Sequence, residues 1–242
     1  MLGNKKNPGI VKRSIDALFE AKERYEVVSR GELQVEIHVE LVEIYNEQVK
    51  DLLASGKKNQ AKNPNLGVNG NEVVGNVVYP VSKVSQVQGI LDVAQKCRIV
   101  KATKSNEESS RSHLIFTMIF TVLNKSGVCR KSRLNICDLA GSERLSKSES
   151  AGSTLKETQY INKSLSALSN VIEKLQQKSQ HVPFRESKLT YLLRDSLAGD
   201  SKTLALICCN PLAEHFNESN CSLRFGNKLS KVELKAMGNF KC

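Results

Sequence analysis

The chain has 242 residues and a formal charge of +11, from 36 Lys and Arg against 25 Asp and Glu. That length holds one large domain or two small ones, and 40% apolar with 25% charged residues is ordinary for a globular protein. No stretch reaches the roughly 18 apolar residues of a membrane span, and the opening M-L-G-N-K-K-N-P has no signal-peptide core, so neither membrane insertion nor export is expected.

Pro8 predicts the first turn of a helix through I-V-K-R-S-I-D-A-L-F-E-A-K-E, with Ile10, Val11, Ile15, Leu18 and Phe19 on its apolar side. L-Q-V-E-I-H-V-E-L alternates, which predicts a half-buried strand with Leu33, Val35, Ile37, Val39 and Leu41 on one face, continuing into V-E-I-Y-N. Residues 54–76, rich in Gly, Asn and Lys, read as an exposed loop or irregular hairpin. Ser85 and Gln88 form a capping-box pattern at the head of a helix through Ile90, Leu91, Ala94 and Cys97. Two apolar strands, 114–123 and 134–139, are separated by the turn N-K-S-G.

Thr154 and Glu157 form a second capping box, opening a long helix whose apolar stripe is Ile161, Leu165, Leu168, Ile172 and Leu175. A short helix follows Ser187 and stops at Gly199, and T-L-A-L-I-C-C at 203–209 reads as a buried strand. Asn217 is the expected cap of a final helix through Cys221, Phe225, Leu229 and Val232. Strands interleaved with helices, without internal repeats, predict an α/β fold with a mixed, two-faced sheet.

Seven scattered cysteines without a C-x-x-C pair favour neither a disulfide framework nor a zinc site; they read as reduced thiols of an intracellular protein. The +11 charge suits an acidic partner, and charge alone does not choose between nucleic acid and an acidic protein surface. Aromatic residues at 5%, no Trp, and no RNA-binding or helix-turn-helix signature argue against nucleic acid.

Two stretches carry chemistry. S-N-E-E-S-S-R-S-H at 105–113 precedes an apolar strand, and C-D-L-A-G-S-E at 137–143 ends the next one. An aspartate closing an apolar strand, with a glycine soon after, is a recurrent nucleoside-triphosphate pattern: the carboxylate faces a Mg²⁺ shell and the glycine admits a backbone N–H to the γ-phosphate. Asp138 and Gly141 have that spacing. Ser109 and Ser110 offer hydroxyls, Asn106 an amide, and Arg111 could pair with Glu143 across the two loops in a bidentate clamp. A lone D-x-x-G arises often by chance, and a serine-rich loop is usually a turn. The six fixed positions of N-x-x-S-S-R-S-H are different, with a chance on the order of 10⁻⁸ per start site at average usage.

These motifs resemble the two nucleotide switches of the kinesin motor domain. The likeness extends through V-E-I-Y-N-E-Q-V-K-D-L-L, L-K-E-T-Q-Y-I-N-K-S-L-S-A-L, H-V-P-F-R-E-S-K-L-T, D-S-L-A-G-D-S-K-T and C-S-L-R-F-G-N-K-L-S-K-V-E-L. N-P-G-I-V and the late V-E-L are most similar to the minus-end-directed, C-terminal-motor class, kinesin-14. The resemblance implies a P-loop NTPase-like motor fold, mixed central sheet with helices on both faces, as a partial motor domain over 1–235 with a tail at 236–242. It implies a microtubule-stimulated ATPase using ATP and Mg²⁺. Asn106, Ser109 and Ser110 would contact the phosphates and the Mg²⁺ shell, Asp138 and Gly141 would sense the γ-phosphate, and Arg111 and Glu143 would form the switch pair. Asn162 would lie in the responding helix, and His113 reads as structural. Microtubule contacts would come from Lys147, Lys156, Lys163, Lys174, His181, Arg185, Lys188 and Arg194, and the acidic tubulin surface would answer the +11 charge. A homo- or heterodimer would form through a coiled coil outside this chain, located on the cytoplasmic cytoskeleton, spindle included.

Three departures stand out. No G-x-x-x-x-G-K-[ST] phosphate loop occurs, G-D-S-K-T at 199–203 lacks its spacing, and the adenine-binding segment and first strands are missing. Ser169 stands where the family usually has glycine, and Tyr191 at a position often basic. A non-catalytic microtubule-binding module is therefore the alternative, and a basic nucleic-acid binder a third class.

Overall fold

The computed structural model describes residues 1–4, 6–54, 66–70, 72–102, 111–125, 127–142 and 153–233. They fall into two compact units, one from 1–43, 50–65 and 75–139, the other from 44–49, 66–74 and 140–242.

In the first unit, α1 (Ile10–Val28) buries Val11, Ile15 and Phe19 as their spacing requires. It begins after Gly9, so Pro8 stands outside the first turn. The reason is a fold-back of the leading residues: Pro8 bridges Gly3, and the Gly9 N–H donates to the Leu2 carbonyl at 3.0 Å. The helix end is tied to the strand that follows. Glu26 accepts from Lys22 at 2.8 Å and from the Val35 N–H at 2.8 Å. Partial burial raises its pKa, but the Lys22 ammonium and the Val35 N–H outweigh that and lower it overall.

Among the described residues, the larger sheet has five strands. β1 (Leu33–Tyr45) lies between β2 (Gln48–Asp51) and β6 (His113–Asn124), β7 (Gly127–Asp138) follows β6, and β5 (Tyr79–Val81) pairs antiparallel with β1 at Ile37–Val39. β1 alternates only as far as Ile37; from Val39 to Ile44 every residue is buried, Glu40 and Glu43 included. A strand with neighbours on both edges is covered more fully than its alternation predicts. Asn46 and Glu47, at φ 52° and 56°, make the two-residue turn into β2. Asp51 closes β2 by accepting the Leu53 N–H at 2.7 Å and the Val77 N–H at 2.6 Å.

α2 (Val84–Ala102) packs on α1, with Val87, Leu91 and Ala94 in the same core as Ile15, Ile37, Phe116 and Met118. Its first turn is capped otherwise than expected. Ser85 is helical, and Gln86 reaches back to the Ser82 and Lys83 N–H groups at 2.7 and 3.1 Å. β7 starts at Gly127, well before the apolar run at 134, because pairing with β6 carries its polar first half into the ladder.

In the second unit, β3 (Gly67–Asn69) and β4 (Glu72–Val74) form a small antiparallel hairpin, the irregular hairpin read from the sequence. α3 (Ser153–Gln176) buries Leu168 and Ile172 from the predicted stripe, together with Ala167 and Val171; Ile161 and the Thr154–Glu157 cap lie outside the described side chains. A 3-10 turn, Phe184–Glu186, leads to α4 (Lys188–Leu192) and α5 (Arg194–Ala198), which ends at Gly199. Ser187 and Thr190 cap α4 reciprocally, and the Lys188 N–H donates to Glu47 Oε2 at 2.9 Å.

Two expectations fail beyond α5. Residues 203–209 form no strand, and Leu204 and Leu206 are 77% and 64% exposed. Among the described residues none pairs with their backbone, and an apolar run without ladder partners is neither a strand nor buried. α6 (Phe216–Leu229) buries no residue and is held to α3 by Lys228–Glu173 at 2.9 Å. Asn217 lies inside it rather than capping it, because a 3-10 turn, Ala213–His215, makes the entry with backbone bonds alone. Among the described residues no helix is long and apolar enough to cross a membrane.

Candidate functional site

The hairpin β6–β7 brings the described ends of two motifs separated in sequence together. Its antiparallel register pairs Leu114 with Asp138, so the start of β6 and the end of β7 lie side by side at one end of the sheet. Arg111 and Ser112 lead into that end, and residues 139–142 leave it. Asp138 is exposed at this end, Arg111 is half-buried just before β6, and Gly141 is half-buried three residues beyond Asp138. Asn106, Ser109, Ser110, Glu143 and Lys147 lie outside the described residues, so the Arg111–Glu143 pair is not among the described contacts.

The base of this end is anchored by residues the motif reading passed over. Ser112 Oγ donates to Glu43 Oε1 at 2.8 Å, and both side chains are buried. Glu43 faces inward from β1, one of two buried acids in a run that looks merely alternating, so only its cross-strand partner marks it. His113 is buried beside Ser112, and burial lowers its pKa to about 4; it is a neutral, structural imidazole at neutral pH. Burial likewise pushes the Cys137 thiol up to about 12, so it is not a ready nucleophile.

The basic residues proposed for an acidic partner lie in the second unit. Lys163, His181, Arg185 and Arg194 are exposed; Lys174 and Lys188 are half-buried. Lys156 sits on α3 with its side chain outside those described. Arg185 lies over the Tyr191 ring, its guanidinium carbon 5.8 Å from the centroid, and Arg194 Nε pairs with Asp195 at 3.0 Å. Also in this unit, Ser142, Cys208, Asn210 and Ser219 help to line an open cavity of about 260 Å³ beside the exposed 203–209 run. Among the described residues no group of three or more His, Cys, Asp or Glu side chains could hold a metal.

The kinesin motor domain family model matches residues 1–232. The kinesin-like protein KIN-14M of Arabidopsis thaliana is 43% identical over 250 residues, covering 97% of this chain and 33% of the relative. KIN-14R of the same plant is 42% identical over 239 residues, covering 97% of this chain and 21% of the relative. The chain thus spans between 21% and 33% of the length of these curated relatives. Among solved structures, a fast kinesin matches with a TM-score of 0.85 and 36% identity, over 99% of this chain and 67% of that one. The C-terminal motor and motor homology domain of Kar3Vik1, fused to a synthetic heterodimeric coiled coil, matches at 0.76 and 38%, over 94% and 58%. A KIF14 dimer with AMP-PNP, in complex with a microtubule, matches at 0.83 and 33%, over 96% and 67%. These likenesses bear out the expected P-loop NTPase-like motor fold, with its mixed sheet and helices.

Proposed function

Because this chain belongs to the kinesin motor domain family, we propose that it is the switch-bearing and track-binding part of a microtubule motor whose movement is driven by ATP hydrolysis. The observation that carries the reading is the register Leu114↔Asp138, which brings the ends of both switch-like stretches to one end of the sheet. Bound Mg²⁺ and ATP would supply the hydrolysable γ-phosphate. The hydroxyls of Ser109 and Ser110, the Asn106 amide and the Asp138 carboxylate are hard oxygen donors suited to a Mg²⁺ shell and its phosphate. Gly141, having no side chain, would admit a backbone N–H to the outer phosphate. Arg111 and Glu143, as a bidentate pair, would hold the two loops closed and orient the attacking water. These residues fit the γ-phosphate end only; no G-x-x-x-x-G-K-[ST] stretch within the 242 residues fits the α- and β-phosphates.

The partner is the microtubule, met by the exposed basic residues of the second unit, and the setting is the cytoskeleton. Kar3Vik1 in its coiled-coil fusion and the KIF14 dimer on a microtubule support pairing through a segment outside this chain. The motor domain is taken to run through residue 235, with 236–242 as tail.

The test is a fusion that places a kinesin segment bearing a G-x-x-x-x-G-K-[ST] phosphate loop ahead of Met1. Microtubule-stimulated turnover is expected, and Glu143→Ala or Arg111→Ala should each abolish it while nucleotide binding survives. The double variant should be no worse than either single one. A fusion that binds nucleotide and microtubules but turns nothing over refutes the catalytic reading. The missing phosphate loop favours a second reading for residues 1–242 alone, a microtubule-binding module without ATPase; saturable Mg²⁺-dependent turnover by that chain would refute it.

A further inference from the structure

We propose that Glu47 is a positioning residue for microtubule binding: its carboxylate holds the first residue of α4 so that the Lys188 side chain is set to meet an acidic protein surface. The proposal rests on the microtubule reading above and deepens it by giving an acidic residue a role at the basic face. Glu47 is the second residue of the tight turn between β1 and β2, and Lys188 stands 141 positions later in the chain. Both belong to the second unit. The Lys188 N–H donates to Glu47 Oε2 at 2.9 Å. Glu47 Oε1 is buried and has no hydrogen-bond partner among the described residues. The carboxylate is therefore enclosed at the head of the helix, and its hydrogen bonding goes to the Lys188 backbone. Glutamate is not the residue that the turn itself asks for, since its φ of 56° favours glycine or asparagine. The turn does not account for a glutamate there; the bond to Lys188 does.

α4 has five residues, too few to hold itself by internal bonds. Its start is fixed by side chains instead. Ser187 Oγ accepts the Thr190 N–H at 3.0 Å and Glu47 accepts the Lys188 N–H, so two donors of the first turn are satisfied from outside the helix ladder. The consequence reaches the basic face. Lys188 is half-buried, and Arg185, in the 3-10 turn just before it, is exposed. Where the Lys188 backbone sits decides where its ammonium can reach. A helix start that has lost this acceptor frays, and the lysine then has more freedom to give up when it docks. The Glu47 charge acts in the opposite direction, because it repels an acidic partner. Acceptor and charge are thus separable by their effects on binding.

The experiment is microtubule co-sedimentation of residues 1–242 carrying Glu47→Gln or Glu47→Gly, each with Lys188 intact and with Lys188→Ala. Both substitutions at 47 remove the same charge. Glutamine keeps an oxygen that accepts the Lys188 N–H, whereas glycine has none and suits the turn. With Lys188 intact, Glu47→Gly should bind about two- to fivefold more weakly than Glu47→Gln, the worth of one exposed lysine contact. With Lys188→Ala the two should bind alike, which a merely structural glutamate would not produce. Equal binding by the two variants with Lys188 intact, or an undiminished difference with Lys188→Ala, overturns the proposal and leaves the microtubule reading standing. A parent chain that does not pellet with microtubules overturns that reading and this proposal with it. Should Glu47→Gly melt well below the parent, Glu47→Asn decides: asparagine tolerates the same backbone but is one methylene shorter. Several-fold weaker binding by Glu47→Asn than by Glu47→Gln supports the proposal, and equal binding overturns it.

Discussion

Acidification should destabilise this protein through one buried imidazole. His113 opens β6 at 2% exposure, and burial lowers its pKa from 6.5 to about 4. Above pH 6.5 the group is neutral in both states and contributes no pH dependence. Between the unfolded and folded values, the unfolded chain binds the proton and the folded chain does not. Stability therefore rises with pH in that window and is lost as pH falls from 6.5 towards 4, levelling off below. A shift of about 2.5 units, at about 1.4 kcal/mol each, gives a total loss of about 3 kcal/mol, most of it by pH 4.5. Against the roughly 5–15 kcal/mol that holds a domain folded, that is a large fraction. The assay is urea unfolding followed by far-UV circular dichroism, since the chain has no Trp. Melts at several values from pH 7.5 to 4.5 are compared with the same series for His113→Gln. Carboxylates and other groups give both proteins a shared background, so the difference between the two curves isolates His113. Parallel curves would refute the reasoning, because they would mean that His113 carries its proton in the folded protein.

Ser112→Ala removes the donor to a buried Glu43 oxygen 2.8 Å away. Losing a buried hydrogen bond and leaving its partner unsatisfied should cost about 1–3 kcal/mol, or a thermal midpoint lower by about 2–12 °C for a chain of this size. A loss under about 0.5 kcal/mol would show that Glu43 finds a replacement partner. Reversing Lys163, Arg185 and Lys188 together to glutamate should weaken microtubule co-sedimentation strongly and flatten its salt dependence, though each single contact contributes only about 1 kcal/mol or less. Reversing Lys57, Lys58 and Lys62 is the control for net charge, and equal losses in both would mean diffuse attraction rather than a defined face.

The elements that read well from the sequence are those whose evidence is local. The alternation from Leu33 to Ile37, the helix period at Val11, Ile15 and Phe19, and the capping serine before α4 each reflect contacts made within a few residues. The switch-like stretches were legible for another reason, since six fixed positions out of eight in N-x-x-S-S-R-S-H exceed what chance supplies. What failed was long-range. Residues 203–209 have the composition of a buried strand, but a strand exists only if another backbone lies alongside, and no local signal reports that. The same limit hid Glu43, whose partner Ser112 lies 69 residues away, just before another strand.

The hairpin carries the functional geometry because of how its register is set. Val122 pairs with Arg130, yet the next residue, Leu123, pairs with Val128, so Cys129 is an extra residue in β7 beside the turn. The turn at Gly127 alone therefore does not dictate which residue of β7 faces Leu114. That is decided farther along, by pairs such as Met118↔Leu134, Phe116↔Ile136 and Ile115↔Cys137, where Met118 and Phe116 are fully buried. A slip of one residue would turn those side chains out of the core, so the apolar pairs resist it strongly. The slip would also carry Asp138 to the opposite face from its present neighbour. The core of the first unit thus fixes, to a single residue, where the second motif begins relative to the first. The bulge near the turn takes up the mismatch where it alters nothing at the functional end.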